Sequence, residues 1–260
     1  MFRKKFRAAA LTAFAFVIAA SCVRDDAAAP ASDGAARAVA AVENASRPEA
    51  DRADDAMRQP ERVLAFIGIE PSMRVFEIEG GAGYYTEMFS SLVGPDGEVV
   101  MQNPESFDGF LGDTVTNRVN DRLDNVRLTK SNFDVLDADD GSMDMVTWML
   151  GPHELYYMPN GEPLGDDATA FAEVWRILQP GGAFIVLDHS AAPGAPKSTG
   201  GAIHRIDQTI VMDLAENAGF VLAGESDVLR NPDDNREITV FDPSVRRKTD
   251  QFLLKYKKPE

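Results

Sequence analysis

The chain has 260 residues, of which 44% are hydrophobic, enough for one α/β domain with a buried core plus appendages. Its formal net charge of −16 argues against a nucleic-acid partner, because phosphate neutralisation needs clustered cations and the basic runs are only Arg246-Arg247-Lys248 and Lys255, Lys257, Lys258. A single cysteine, Cys22, excludes a disulfide within the chain and, beyond residue 22, a thiolate nucleophile.

Residues 1–21 read as an export signal, with Arg3, Lys4, Lys5 and Arg7 ahead of an apolar run from Ala8 to Ala20 that is too short to span a bilayer comfortably. The run ends Ile-Ala-Ala-Ser-Cys, which resembles a lipoprotein processing site with Cys22 as the lipidated first residue. That resemblance implies an exported, periplasmic, membrane-anchored protein that meets the membrane only through its lipid. Position three before the cysteine is Ala19 where leucine is usual, and Val23 fits outer-membrane sorting. Residues 22–46 are Ala-rich with scattered charge and no aromatic residue, a composition expected to form a disordered tether. The folded domain is expected over 47–260.

Within it, Pro48 and Pro60 suit the first turns of two helices, and Gly68 stops the second. Arg74-Val-Phe-Glu-Ile reads as a short buried strand, followed by a glycine cluster and a helix from Tyr84 to Leu92. A second strand is expected over Glu98–Met101. One helix carrying Phe107, Phe110 or Leu111, Val115, Val119 and Leu123 leads to a third strand near Val126–Thr129. Asp144–Met149 reads as the fourth strand and Thr169–Leu178 as a helix. Pro180-Gly-Gly182 should turn into a fifth strand, Ala183–Leu187. A helix over Asp207–Ala218 and strands near Phe220–Gly224 and Phe252–Tyr256 complete the domain. Strand and helix in alternation with short turns predict a doubly wound, Rossmann-like, mostly parallel sheet.

The segment that carries chemistry is Val75-Phe-Glu-Ile-Glu-Gly-Gly-Ala-Gly-Tyr-Tyr-Thr-Glu87, a strand running into a glycine turn that opens a helix. Glycine admits close backbone approach, and a helix N-terminus favours an anion. A dinucleotide site would want a third glycine where Thr86 stands. The arrangement resembles the first motif of class I S-adenosylmethionine-dependent methyltransferases, with Glu77, Gly81 and Gly83 on the motif positions and Glu79 in place of its first glycine. Phe171-Ala-Glu-Val-Trp-Arg-Ile-Leu-Gln-Pro-Gly-Gly182 resembles that family's helix leading into its fifth strand, and Asp140-Gly-Ser-Met-Asp-Met-Val146 its entry into the fourth. The stretches Tyr84-Tyr-Thr-Glu87, His153-Glu-Leu-Tyr156, His204-Arg-Ile-Asp207, Leu229-Arg-Asn-Pro-Asp233 and Phe241-Asp-Pro243 are similar to a group of exported bacterial methyltransferases.

The resemblance implies S-adenosylmethionine as cofactor. Its methionine end would sit at Gly81 and Gly83 beside Tyr84, its ribose at Asn103, and its adenine near Asn132 and Phe133. The family has carboxylates where Asn103 and Asn132 stand; Phe133 reads equally as a core residue at a strand end. His153, His189 and His204 are the three histidines, each after a strand end or in the loop beyond the fifth strand, where open α/β sheets bind ligands. His153 and His189 are candidate bases for the acceptor's proton, with Asp188 able to orient His189. A metal site from these histidines with Asp188 or Asp207 lacks a short ligand spacing such as His-Glu-x-x-His, and none is expected. The stretch 192–201 reads as a loop able to cover the crevice. Methyl transfer to a small or envelope-associated acceptor is the expected function. The alternatives are an exported binding module on the same fold and a hydrolase using the histidines. Neither the acceptor nor the oligomeric state is written in the sequence.

Overall fold

A computed structural model describes Met1 and residues 33–260. The export signal, Cys22 and the first part of the expected tether lie outside the described residues. The remainder of that tether is not extended chain: Asp33–Glu43 is a helix, α1, that buries Ala38, Ala41 and Val42 against Val63 and Ile67. Alanine at these positions lets the helix approach closely, and composition alone misses it because the apolar face consists of small residues. No described helix is long and apolar enough to cross a membrane.

Two helices follow, α2 (Glu49–Arg58) and α3 (Pro60–Ile67), the latter closed by Gly68 at φ 73°. Then come β1 (Arg74–Ile78), α4 (Tyr84–Val93) and β2 (Glu98–Asn103). The single helix expected over Phe107–Leu123 is instead a short 3-10 turn, Glu105–Phe107, followed by α5 (Asp108–Leu111) and α6 (Thr114–Val119). Gly112, at φ 51° and ψ −135°, breaks it, a conformation that a helix cannot continue through. The chain proceeds through β3 (Val126–Lys130), β4 (Met143–Met149), α7 (Asp167–Ile177) and β5 (Leu178–His189). The Asp166 carboxylate caps α7 by accepting from the Thr169 amide. It ends with α8 (Thr199–Ile203), α9 (Gln208–Asn217), β6 (Val221–Ser226) and β7 (Gln251–Lys257).

The strands form one seven-stranded sheet in the order β3-β2-β1-β4-β5-β7-β6. The first five are parallel, and β7 runs antiparallel to both neighbours. Pro180-Gly-Gly182 lies inside β5 rather than before it: the Gly181 amide donates to Lys258 O and the Lys258 amide donates to Gly182 O, so the chain's end extends the strand. Successive strand residues face opposite sides, which sorts the core into two halves. Phe76, Ile78, Val146, Trp148, Phe184 and Val186 pack under α7 and α9. Val75, Val99, Met145, Met149, Ile185 and Leu187 pack under α1, α3 and α4. With both faces covered, the parallel strands read as near-continuous apolar runs. The chain leaves β1 toward β3 on one side and returns to β4 on the other, so the sheet's switch point, where ligands bind in such folds, lies at the carboxyl ends of β1 and β4.

Candidate functional site

Beyond β1 the backbone enters the left-handed region at Glu79 (φ 55°), Gly81 (φ 57°) and Gly83 (φ 86°), which folds the turn tightly enough to begin α4 at Tyr84. A Cβ on Gly81 would meet nothing within 4 Å, leaving the turn open on that side. A Cβ on Gly83 would fall 2.3 Å from Arg118 Cδ, so packing against a neighbouring side chain accounts for this glycine. Glu77 is buried, accepts from Thr86 Oγ1 at 2.5 Å, and is pushed up to about 7 by burial; it braces the turn from below.

The two amides at the end of β2 hold this turn in place. Gln102 Oε1 accepts from the Glu79 amide at 2.9 Å, while its Nε2 donates to Ser131 O at 2.6 Å. Asn103 Oδ1 accepts from the Gly81 amide at 2.9 Å, and its Nδ2 donates to Gly81 O at 3.1 Å. Asn103 thus sits beside the glycine turn, bonded to the loop itself. Phe133 is fully buried with its ring 5.0 Å from that of Trp148, a core position, whereas Asn132 is exposed. Tyr84 turns toward α2: its hydroxyl donates to Asp55 Oδ1 and Arg58 lies 4.4 Å from its ring centre. Glu77, Gly81, Gly83 and Asn103 thus lie together at the turn, while Tyr84 is bonded to α2, Phe133 is in the core and Asn132 is exposed.

The histidines, far apart in sequence, converge beside β4 and β5. A 3-10 turn, Pro152–Tyr156, follows β4 and carries His153 and Glu154, both buried. Asp188, fully buried near the end of β5, accepts from the His153 amide (2.8 Å) and the His189 amide (2.7 Å), and its Oδ1 lies 2.7 Å from His153 Nδ1. An ionised carboxylate only accepts, so Nδ1 carries the proton there. Asp188 thereby orients the ring of His153, and touches His189 only through its backbone. His153 Nε2 lies 3.1 Å from Glu154 Oε1 and 3.2 Å from His204 Nδ1, and the latter pair are 2.9 Å apart. Burial acts to lower the His153 imidazolium, but the adjoining Asp188 and Glu154 charges outweigh it and hold the group at about 10. His189, with Nδ1 2.7 Å from Thr249 Oγ1, is driven well below the ordinary histidine value by burial and by the nearby cations, so its ring is neutral. Glu154 and Gln102 were not singled out from the sequence; the adjacency His153-Glu154 and the amide pair at a strand end where the family has an acid were the available signals.

His189, Tyr85, Leu150, Phe241 and Gln251 line a cavity of about 240 Å³, with Asp54, Arg58, Arg246 and Arg247 around it. A larger hollow of about 560 Å³ lies among Ser90, Gly94, Glu98 and Val126, at the amino ends of β2 and β3 and away from every histidine. The stretch 192–201 ends in the start of α8, where a Cβ on Gly200 would come 2.4 Å from His153 O, so that end is packed against the 3-10 turn after β4.

A sequence model of the ubiE/COQ5 methyltransferase family matches residues 58–198. The chain is 27% identical over 198 residues to the ubiquinone/menaquinone biosynthesis C-methyltransferase UbiE of Ectopseudomonas mendocina, a match covering 74% of this chain and 65% of that protein. It is 31% identical over 125 residues to UbiE of Shewanella oneidensis, covering 47% and 45%. The matches thus span less than two thirds of either relative's length. Among solved structures, a SAM dependent methyltransferase from Aquifex aeolicus superposes at a TM-score of 0.56 with 20% identity over 80% of this chain and 95% of that one, which shows a shared fold.

Proposed function

The chain belongs to the ubiE/COQ5 methyltransferase family, with S-adenosylmethionine as its cofactor, and from that premise we propose that it transfers a methyl group to a small acceptor held in the cavity beside His189. The observation that carries this reading is the open face of Gly81 at the switch point, immediately before α4, whose first turn also supplies Tyr85 to the cavity wall. The residues at the turn fit the cofactor's amino-acid end: Gly81 leaves room, and the first amides of α4 offer donors to a carboxylate. We assign Asn103 to the ribose, where it would exchange its bonds to Gly81 for ribose hydroxyls. When bound there, the cofactor supplies an electrophilic methyl group. His189 is neutral at the cavity wall and offers an unprotonated ring nitrogen to the acceptor's proton, as a weak base because burial and the nearby cations disfavour its charged form. Arg58, Arg246 and Arg247 line the cavity against a single acid, Asp54, a local positive balance that favours an acceptor bearing negative charge in a chain that is otherwise acidic.

One observation favours the alternative, a binding module that keeps the fold without transfer: the Asn103 amide already pairs with Gly81. Titration with S-adenosylmethionine separates the two. Gly81→Ala adds a methyl group in open space at a cost of about 1–2 kcal/mol for the left-handed backbone. The variant should fold and lose at least about tenfold in affinity, equivalent to roughly 1.4 kcal/mol. Equal binding by the two folded proteins would show that Gly81 is not the cradle.

We also propose that the protein is exported and anchored through a lipid on Cys22, on the strength of the charged start, the apolar run and the lone cysteine directly after it. The acceptor would then be one available in the cell envelope. Cys22→Ser should move the protein from the membrane to the soluble envelope fraction; an unchanged distribution rules out this anchor.

A further inference from the structure

We propose that His153 Nε2, Glu154 Oε1 and His204 Nδ1 form a binding site for a divalent first-row transition ion such as zinc. The three atoms make a nearly equal-sided triangle with edges of 3.1, 3.2 and 2.9 Å. Zinc held at about 2.0–2.1 Å in tetrahedral geometry sets its ligand atoms about 3.3–3.4 Å apart, so an ion needs the triangle to open by only a few tenths of an ångström.

The same three atoms can share protons or, once an ion displaces those protons, a cation. With Nδ1 of His153 committed to Asp188 and the ring held as the imidazolium, Nε2 carries an N–H toward Glu154 Oε1, and an ion takes the place of that proton. If both imidazoles donate to Glu154 Oε1, that one oxygen takes two N–H groups while the other carboxylate oxygen takes none from the described residues. If either is unprotonated, its lone pair faces the carboxylate. A cation at the centre is attracted to all three lone pairs at once. Independently, the second carboxylate oxygen, Glu154 Oε2, is buried with no hydrogen-bond partner among the described residues. Glu154 as a whole is only 8% exposed, so water does not readily supply one. Such an oxygen is free to join the coordination of an ion.

The surroundings are those of a ligating histidine. Asp188 accepts from the His153 ring nitrogen remote from the triangle and from the His153 amide, which fixes both tautomer and ring orientation. His204 reaches the cluster by ending α8 in the left-handed region (φ 55°), and its ring packs on Phe241 at 4.9 Å and Tyr157 at 5.3 Å. Two histidines and one carboxylate leave a tetrahedral ion one open position, for water or an oxygen donor. Phe241 also lines the cavity of about 240 Å³, as does His189, whose ring centre is 6.2 Å from that of His153. The cluster thus adjoins two residues of the wall of the chamber proposed for the acceptor, and an open position on the ion suits an oxygen-bearing small molecule.

The test uses the purified protein stripped with a chelator and titrated with Zn²⁺, then with Co²⁺, whose visible absorption reports tetrahedral coordination. The expected result is one equivalent of either ion bound, a higher melting temperature with Zn²⁺, and affinity at least about 100-fold weaker in His204→Ala. His204→Gln serves as the second variant should the alanine form fail to fold, and Glu154→Gln should also weaken binding. Absence of saturable Zn²⁺ and Co²⁺ binding, or equal affinity in wild type and a folded His204 variant, overturns the proposal. Titration of the same stripped protein with S-adenosylmethionine reports separately on the transfer reading, so either can fail alone.

Discussion

Asn103 makes two hydrogen bonds to one residue, accepting from the Gly81 amide and donating to the Gly81 carbonyl. From the sequence, this position looks like a carboxylate replaced by a weaker ribose ligand. The structure supplies a reason for the amide: only a side chain with both a donor and an acceptor can satisfy both backbone groups of Gly81. Asn103→Asp would lose the donated bond and set a buried carboxylate oxygen against a carbonyl. Its expected cost is about 1–3 kcal/mol, read as a lower urea midpoint with an unchanged slope. An equal or higher midpoint would mean that the turn does not depend on this amide. The histidines show the limit of a residue-level reading. The place of His153 after β4 was legible, whereas His189 is the last residue of β5 and His204 closes α8, and the meeting of His153 with His204 across 51 positions, and with Asp188 across 35, depends on the sheet order.

At the scale of elements, signals carried by neighbouring residues were read well and those carried by distant partners were not. β1, α4 and β4 declare themselves through apolar runs bounded by glycine and proline. The length of β5 does not, because Gly181 and Gly182 are held in the strand by Lys258, more than seventy residues on. Periodicity from Phe107 to Leu123 suggested one helix because it counts apolar residues and ignores the break at Gly112. The first helix was hidden by its alanines. Its role gives a prediction: removing residues 33–43 should uncover Val63 and Ile67 and cost roughly 2–4 kcal/mol from the lost burial of Val42, Ala38 and Ala41. For a domain of this size that lowers the melting temperature by roughly 5–15 °C. A truncated protein that melts with the full chain would show that the segment behaves as a tether.

For the whole molecule, the sheet order places chemistry at one end. The glycine turn, the histidine cluster and the cavity beside His189 all follow the carboxyl ends of β1, β4 and β5, as the strand alternation in the sequence led one to expect. The acidic charge of −16 agrees with a small ligand rather than a polyanion, and the arginines near the cavity are a local exception to it. Whether these parts act as one methyl-transfer site turns on the cofactor. The most direct measurement is calorimetric titration of the purified wild-type protein with S-adenosylmethionine and S-adenosylhomocysteine. The account predicts saturable binding of both at one equivalent per chain. A folded protein that binds neither would contradict it.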